Sequence, residues 1–200
     1  MAYAKPTLAE LKQSLSDRHD SGDLPTDSAT LSLWIRLFNR AAEYCISRLG
    51  ITKRTTLTTS SGTIALPDDF VAIDKVLDAD KNVYSMINYD DKESATTGNQ
   101  VFWISGDFAS GFYLNSPDDE ALTVYYAYRP SPLVNDTDVC AFPDEEALVA
   151  YAYGTLRKSE SDPFDDAGNA MAEVEVRLQE IASQYNQNEE GLAVKLTNNA

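Results

Sequence analysis

At 200 residues, with 43% hydrophobic, 24% charged and 10% aromatic side chains, the sequence is that of a globular chain able to bury a core. Asp and Glu number 32 against 16 Lys and Arg, a formal charge of −16. Residues 1–60 carry 8 basic and 6 acidic side chains, residues 61–200 carry 8 and 26, and so acidic a body excludes an ordinary DNA-binding domain, which needs lysine and arginine to neutralise phosphates.

No apolar run approaches the roughly 18 residues of a membrane span, and Met1-Ala2-Tyr3-Ala4-Lys5-Pro6 lacks a signal-peptide apolar region. Cys45 and Cys140 stand far apart with no CxxC, which reads as a reduced cytosolic protein. Thr7, with Glu10 three residues on, has the pattern of a capping box and predicts a helix over residues 6–19 with Leu8, Leu11 and Leu15 on one face. Ser21-Gly22-Asp23-Leu24-Pro25 reads as a loop. Asp27 or Ser28 then caps a long helix, residues 27–49, whose Leu31, Trp34, Phe38, Ala41, Cys45 and Leu49 recur at helical spacing before Gly50 stops it. Arg36, Arg40 and Arg48 share one side of this helix. They read either as a solvated basic stripe or as a contact with an acidic partner or a neighbouring subunit.

From residue 51 to 128 the period changes to two. Thr52 to Thr59 is strand-like, Ser60-Ser61-Gly62 turns, and Thr63 to Leu66 leads into Pro67-Asp68-Asp69-Phe70. Val71, Ile73, Val76 and Leu77 predict a strand, and Lys81-Asn82 a turn into Val83 to Ile87. Asn88 to Asn99 is a polar loop. Val101 to Ile104 and Gly111 to Leu114 form a hairpin around Ser105-Gly106-Asp107. Leu122, Val124, Tyr126 and Tyr128 alternate with Thr123, Tyr125 and Ala127, so both faces are apolar or aromatic and a central strand covered on each side is predicted. Pro130 and Pro132 end it. Six or seven short strands without intervening helices predict an antiparallel sheet, or two packed sheets.

Phe142-Pro143-Asp144-Glu145-Glu146 opens a third helix, residues 143–158, with proline at its first position, carboxylates at its positive end and Arg157-Lys158 at its negative end. Gly154 inside it costs about 1 kcal/mol relative to alanine and reads as a site of close helix packing. A fourth helix, residues 163–186, carries Ala167, Met171, Val174, Leu178, Ile181 and Tyr185 in steps of four and three. That stripe packs on the second and third helices or forms a seam between subunits. Residues 187–200 make an extended tail in which Leu192, Val194 and Leu196 alternate, as an added strand would. The expected class is α+β: a bundle of about four helices with an inserted antiparallel β region, residues about 51–128, in a single domain of residues 1–186.

Catalytic groups are scarce. His19 stands alone and reads as exposed in a polar loop, which removes a Ser-His-Asp arrangement and a His-rich metal site. There is no GxGxxG, phosphate loop or HExxH. Asp68-Asp69, Asp90-Asp91, Asp118-Asp119-Glu120 and Asp165-Asp166 are acidic runs, and paired carboxylates serve glycosidases or bind calcium and magnesium. None has calcium-loop spacing, and adjacent residues on a strand face opposite ways, so turn and cap roles fit better. No catalytic, cofactor or metal site is expected. A monomeric β-rich binding module and a carboxylate-based carbohydrate-acting enzyme remain as alternatives.

Three stretches stand in a telling order. Phe38-Asn39-Arg40-Ala41-Ala42-Glu43-Tyr44 lies on the long helix, and Leu66-Pro67-Asp68-Asp69-Phe70-Val71 begins the β region. Val124-Tyr125-Tyr126-Ala127-Tyr128-Arg129-Pro130 closes that region, followed by Leu133, Asp136 and Phe142-Pro143. Over roughly residues 27–186 this resembles the head-to-tail connector, or adaptor, proteins of tailed bacteriophages. The resemblance implies a structural, non-enzymatic virion protein, assembled in the host cytoplasm, whose ring in the phage neck joins portal to tail and lets DNA pass. Its implied partners are the portal protein, tail or nozzle proteins, further copies of itself (typically a dodecamer) and double-stranded DNA passing without specific binding. No cofactor and no membrane are implied. Arg36, Arg40, Arg48, Leu192, Val194 and Leu196 then become the candidate contacts with the portal or a neighbouring subunit.

Overall fold

The computed structural model describes residues 5–19, 22–59, 61–159 and 166–186. Its first feature is the capping box. The Thr7 N–H and hydroxyl donate to the Glu10 carboxylate at 2.7 and 2.9 Å, and the Glu10 N–H returns to Thr7 Oγ1 at 3.3 Å. Two orphan groups are satisfied at once, and helix α1, Leu8–His19, starts there with Leu8, Leu11 and Leu15 buried. Helix α2, Ser28–Arg48, is capped by Asp27, which accepts from the Thr30 N–H at 2.7 Å. It buries Trp34, Leu37, Phe38, Ala41, Ala42, Cys45 and Ile46.

Helix α3, Glu145–Ser159, departs from the expected start. Asp144 is the cap: buried itself, it accepts from the Ala147 N–H at 2.8 Å, and Pro143 stays outside the helix. A cap oxygen satisfies an otherwise orphaned amide, which proline at the first position cannot do. Helix α4 is Asp166–Asn186. The expected start near Asp162 and Pro163 lies outside the described residues, as do Leu192, Val194 and Leu196 of the tail.

The chain divides into two compact units: residues 1–51 together with 130–200, and residues 52–129. In the helical unit α3 packs against α1, α2 and α4. The segment 130–142 is strapped to this unit. Asn39 of α2 brackets Leu133, its amide donating to the Leu133 carbonyl at 3.0 Å and its oxygen accepting from the Leu133 N–H at 2.7 Å. The Leu8 and Ala9 N–H groups donate to the carbonyls of Asp138 and Asp136, and the Cys140 N–H donates to the Pro6 carbonyl. Cys45 and Cys140 are buried free thiols whose pKa burial pushes upward.

The β unit holds β1 (Thr52–Thr58), β2 (Thr63–Ala65), β3 (Phe70–Leu77), β4 (Ser85–Met86), β5 (Val101–Asp107), β6 (Gly111–Asn115) and β7 (Ala121–Tyr128). They form two sheets, β1-β7-β3 and β2-β6-β5-β4. The class is thus mixed α+β. The expectation of a wholly antiparallel region needs one correction: β4 pairs with β5 in parallel, Ser85 opposite Val101. The 88–100 connection, which includes a 3-10 turn at Tyr89–Ser94, supplies the crossover that a parallel pair requires.

Strand β7 is central in its sheet. Leu122, Val124 and Tyr126 are buried with Leu66, Val76, Tyr84, Phe102 and Leu114 in the core of this unit. Its other face is only half covered. There Lys75 lies over the Tyr125 ring, 4.4 Å to the centroid, while Lys53 lies over Tyr128, at the end of the core-facing row, at the same distance. A lysine stem thus shields the Tyr125 ring, which the sequence pattern placed under a second apolar layer.

Candidate functional site

The structure separates the three arginines of α2. Arg36 and Arg40 are exposed, opposite the buried Trp34–Phe38–Ala41–Cys45 face, and neither joins an ion pair among the described residues. Arg48 is half-buried. Its Nη2 lies 3.0 Å from Glu175 Oε2 of α4 and its Nε 3.3 Å from Oε1, to which the Tyr44 hydroxyl donates at 2.6 Å. Hydrogen bonds from Arg48 and Tyr44 hold the Glu175 carboxyl below its usual range. Burial, then the Glu175 hydrogen bond, pushes Tyr44 up to about 12.

This cluster gives the helical unit an acid sensitivity of known sign. The Glu175 pKa is depressed on folding, so its contribution is present above the ordinary glutamate value of 4.5 and is lost as pH falls through the folded value. Glu175→Gln should therefore lower Tm at neutral pH and flatten its fall below about pH 4.5. Thermal unfolding followed from pH 7 to pH 3 checks this; parallel curves for the two proteins would contradict it.

Apart from the exposed Arg40 and Val71, several residues of the three telling stretches prove to be framework. The Asp69 carboxylate pairs with Lys53 of β1 and accepts from the Tyr126 hydroxyl of β7 at 3.2 Å, while its carbonyl accepts from the Arg129 N–H at 2.8 Å. Burial, then the Asp69 charge, pushes Tyr126 up to about 12. The Phe70 N–H closes the turn on the Pro67 carbonyl, and Leu66 enters the core. Asn39 holds Leu133, and Asp144 caps α3.

Members of the Asp118-Asp119-Glu120 and Asp165-Asp166 runs are occupied likewise. Asp118 accepts from the Gly98 N–H and Asp119 from the Gly62 N–H, each at 2.8 Å, and Asp166 lies 3.6 Å from Arg157. Among the described residues no group of three or more His, Cys, Asp or Glu is placed to hold a metal ion, and no helix is long and apolar enough to cross a membrane. His19 differs from the expectation of an exposed loop. It is the last residue of α1, half-buried, its ring edge-on to Tyr153 at 6.2 Å, with Arg18 over the same tyrosine at 4.8 Å.

One exposed group escaped the sequence reading. Phe108, at the tip of the β5–β6 hairpin, is 92% exposed. Its only signal was an aromatic residue inside Gly106-Asp107-Phe108-Ala109-Ser110-Gly111, a turn where small and polar residues are the norm.

A sequence model of the SU10 adaptor protein matches residues 6–195. The chain belongs to the SU10 adaptor protein family. This is a phage head-tail adaptor family, which bears out the resemblance carried by the Phe38–Tyr44, Leu66–Val71 and Val124–Pro130 stretches. No curated protein matches the chain. The matched span takes in every helix and strand among the described residues of the adaptor, in both units. Among the residues that carried the resemblance, Asp69 holds a turn, Asn39 straps Leu133 and Leu66 enters the core. The contact surfaces of this adaptor must be sought on its exposed side chains.

Proposed function

We propose that this adaptor forms a ring in the phage neck that joins the portal to the tail and lets DNA pass. The observation that carries the reading is membership of the adaptor family across residues 6–195. In this reading residues 1–186 act as one adaptor domain, a helical bundle with the β unit inserted, and residues 187–200 are an extended tail. The partners are the portal protein, tail or nozzle proteins and further copies of the chain, in a dodecamer, and the ring is part of the virion.

Charge supports the conduit. A channel must not retain its cargo, and acidic side chains lining a lumen repel phosphates within a screening length of roughly 8–10 Å. A net charge of −16 per copy supplies them. The exposed Arg36 and Arg40 are assigned to contact with an acidic surface of the portal or a neighbouring subunit. Arg48, held by Glu175, braces the helix that presents them. Leu192, Val194 and Leu196 are assigned to strand addition on the same partners.

Purified protein mixed with its portal should co-sediment and appear as a ring by negative-stain microscopy. Arg36→Glu with Arg40→Glu, or truncation after Asn186, should weaken co-sedimentation while leaving the Tm of the free protein almost unchanged. A wild-type chain that stays monomeric beside the portal would overturn the ring and favour a β-rich binding module.

A further inference from the structure

The β5–β6 hairpin is built to hold one aromatic side chain in solvent. Asp107 Oδ1 accepts from the Ala109 N–H, the Ser110 N–H and the Ser110 hydroxyl at 2.7 to 2.8 Å, closing the turn from within. Gly106 has φ +98°, and a Cβ there would fall 2.0 Å from the Gly111 carbonyl oxygen, so the strands approach as only glycine allows. Phe108 crowns this fixed turn, its ring edge-on to Phe112 at 5.2 Å and 88°. Phe112 in turn packs on Phe70 at 5.6 Å. An aromatic row thus runs from the interior of the unit to a ring left almost wholly in water.

A lone exposed aromatic on a mobile loop loses entropy when it is captured. One held by a closed turn loses little, which is the arrangement of an interface anchor. The occupant is constrained by charge. Residues 52–129 carry 12 acidic and 6 basic side chains, and Asp107 stands beside the ring, so a pocket complementary to Phe108 is one that is apolar and rimmed by lysine or arginine. The exposed Arg36 and Arg40 of a second copy are already committed to the portal or a neighbouring subunit in the ring reading.

We infer that Phe108 is the anchor by which the β unit docks into an apolar, basic-rimmed pocket of the tail-side protein. This rests on the ring reading above, which gives the portal and neighbouring copies to the helical unit and leaves the β unit for the tail side. The full-length adaptor, free and as a ring on its portal, is titrated with the purified tail-side protein for wild type, Phe108→Ser and Phe108→Trp. Phe108→Ser should weaken attachment at least about tenfold, and about thirtyfold where the ring is a true hot spot, with Tm and portal co-sedimentation unchanged. Phe108→Trp should restore binding to within a few-fold, and wild-type attachment should weaken as salt rises. Equal attachment by wild type and Phe108→Ser overturns the inference. So does a defect confined to portal binding or to ring closure, the latter handing Phe108 to a neighbouring copy. Because the free chain is titrated too, failure to form a ring leaves the Phe108 comparison standing.

Discussion

Leu178→Asp is expected to remove most of the stability of the helical unit. Leu178 is fully buried, in the α4 row Ala170, Val174, Leu178, Ile181 and Ala182. The substitution forfeits the leucine's burial, about 2–5 kcal/mol by analogy with truncation to alanine, and places a carboxylate where it must stay unpaired or take up a proton. No idle cation is at hand on the adjoining turn, since Arg177 is already engaged by Glu146 and Glu180. Set against a typical total of about 5–15 kcal/mol, the combined loss leaves little. Far-UV circular dichroism against temperature should show a large drop in Tm or no cooperative transition. Val176→Asp is the control: two residues earlier on the same helix, at an exposed position, it should shift Tm very little. If Leu178→Asp keeps its Tm and loses only assembly, the stripe belongs to a seam between subunits.

What the sequence made legible follows from what is local. The helix faces could be read because burial recurs every three or four residues and because the caps at Thr7 and Asp27 are made within one turn. The start of α3 was blurred because Pro143 and Asp144 are both good opening residues, and only the hydrogen bond to Ala147 decides between them. The direction of β4 was out of reach, since a period of two says which face a residue takes but not whether its neighbour runs up or down. The second face of β7 was misread for a related reason. The aromatic Tyr125 there implies cover, but the cover is the Lys75 stem from β3.

The candidate contacts show the same division. Arg36, Arg40 and Arg48 look equivalent on a helical wheel, yet Glu175, which removes Arg48 from the open face, lies 127 residues away. Phe108 gave almost no signal because its importance lies in exposure, which depends on how the hairpin closes.

Gly154 is where two local effects oppose each other and packing decides. Alanine would gain about 1 kcal/mol in helix propensity. Its Cβ, however, would sit 3.1 Å from the Ala170 Cβ and 3.2 Å from the Ala167 carbonyl oxygen, both tighter than ordinary van der Waals contact. These nearly cancel, so Gly154→Ala should change stability by no more than about 1 kcal/mol in either direction. Gly154→Leu has no such balance. Met171 Cγ already lies 3.5 Å from the Cβ position, and one of the two closest obstacles is α4 backbone, which cannot rotate away as a side chain can. The helices must separate, loosening the packing of α3 against α4, the helix on which Ala170, Val174 and Leu178 are buried. Overpacking costs about 1–3 kcal/mol when side chains alone adjust, and more when backbone moves, so at least about 3 kcal/mol is expected here. At a few degrees per kcal/mol, Tm should fall by more than about 10 °C. Thermal melts of the two variants beside wild type provide the measurement. A leucine variant that melts with wild type would mean that α3 and α4 are not in close contact at Gly154.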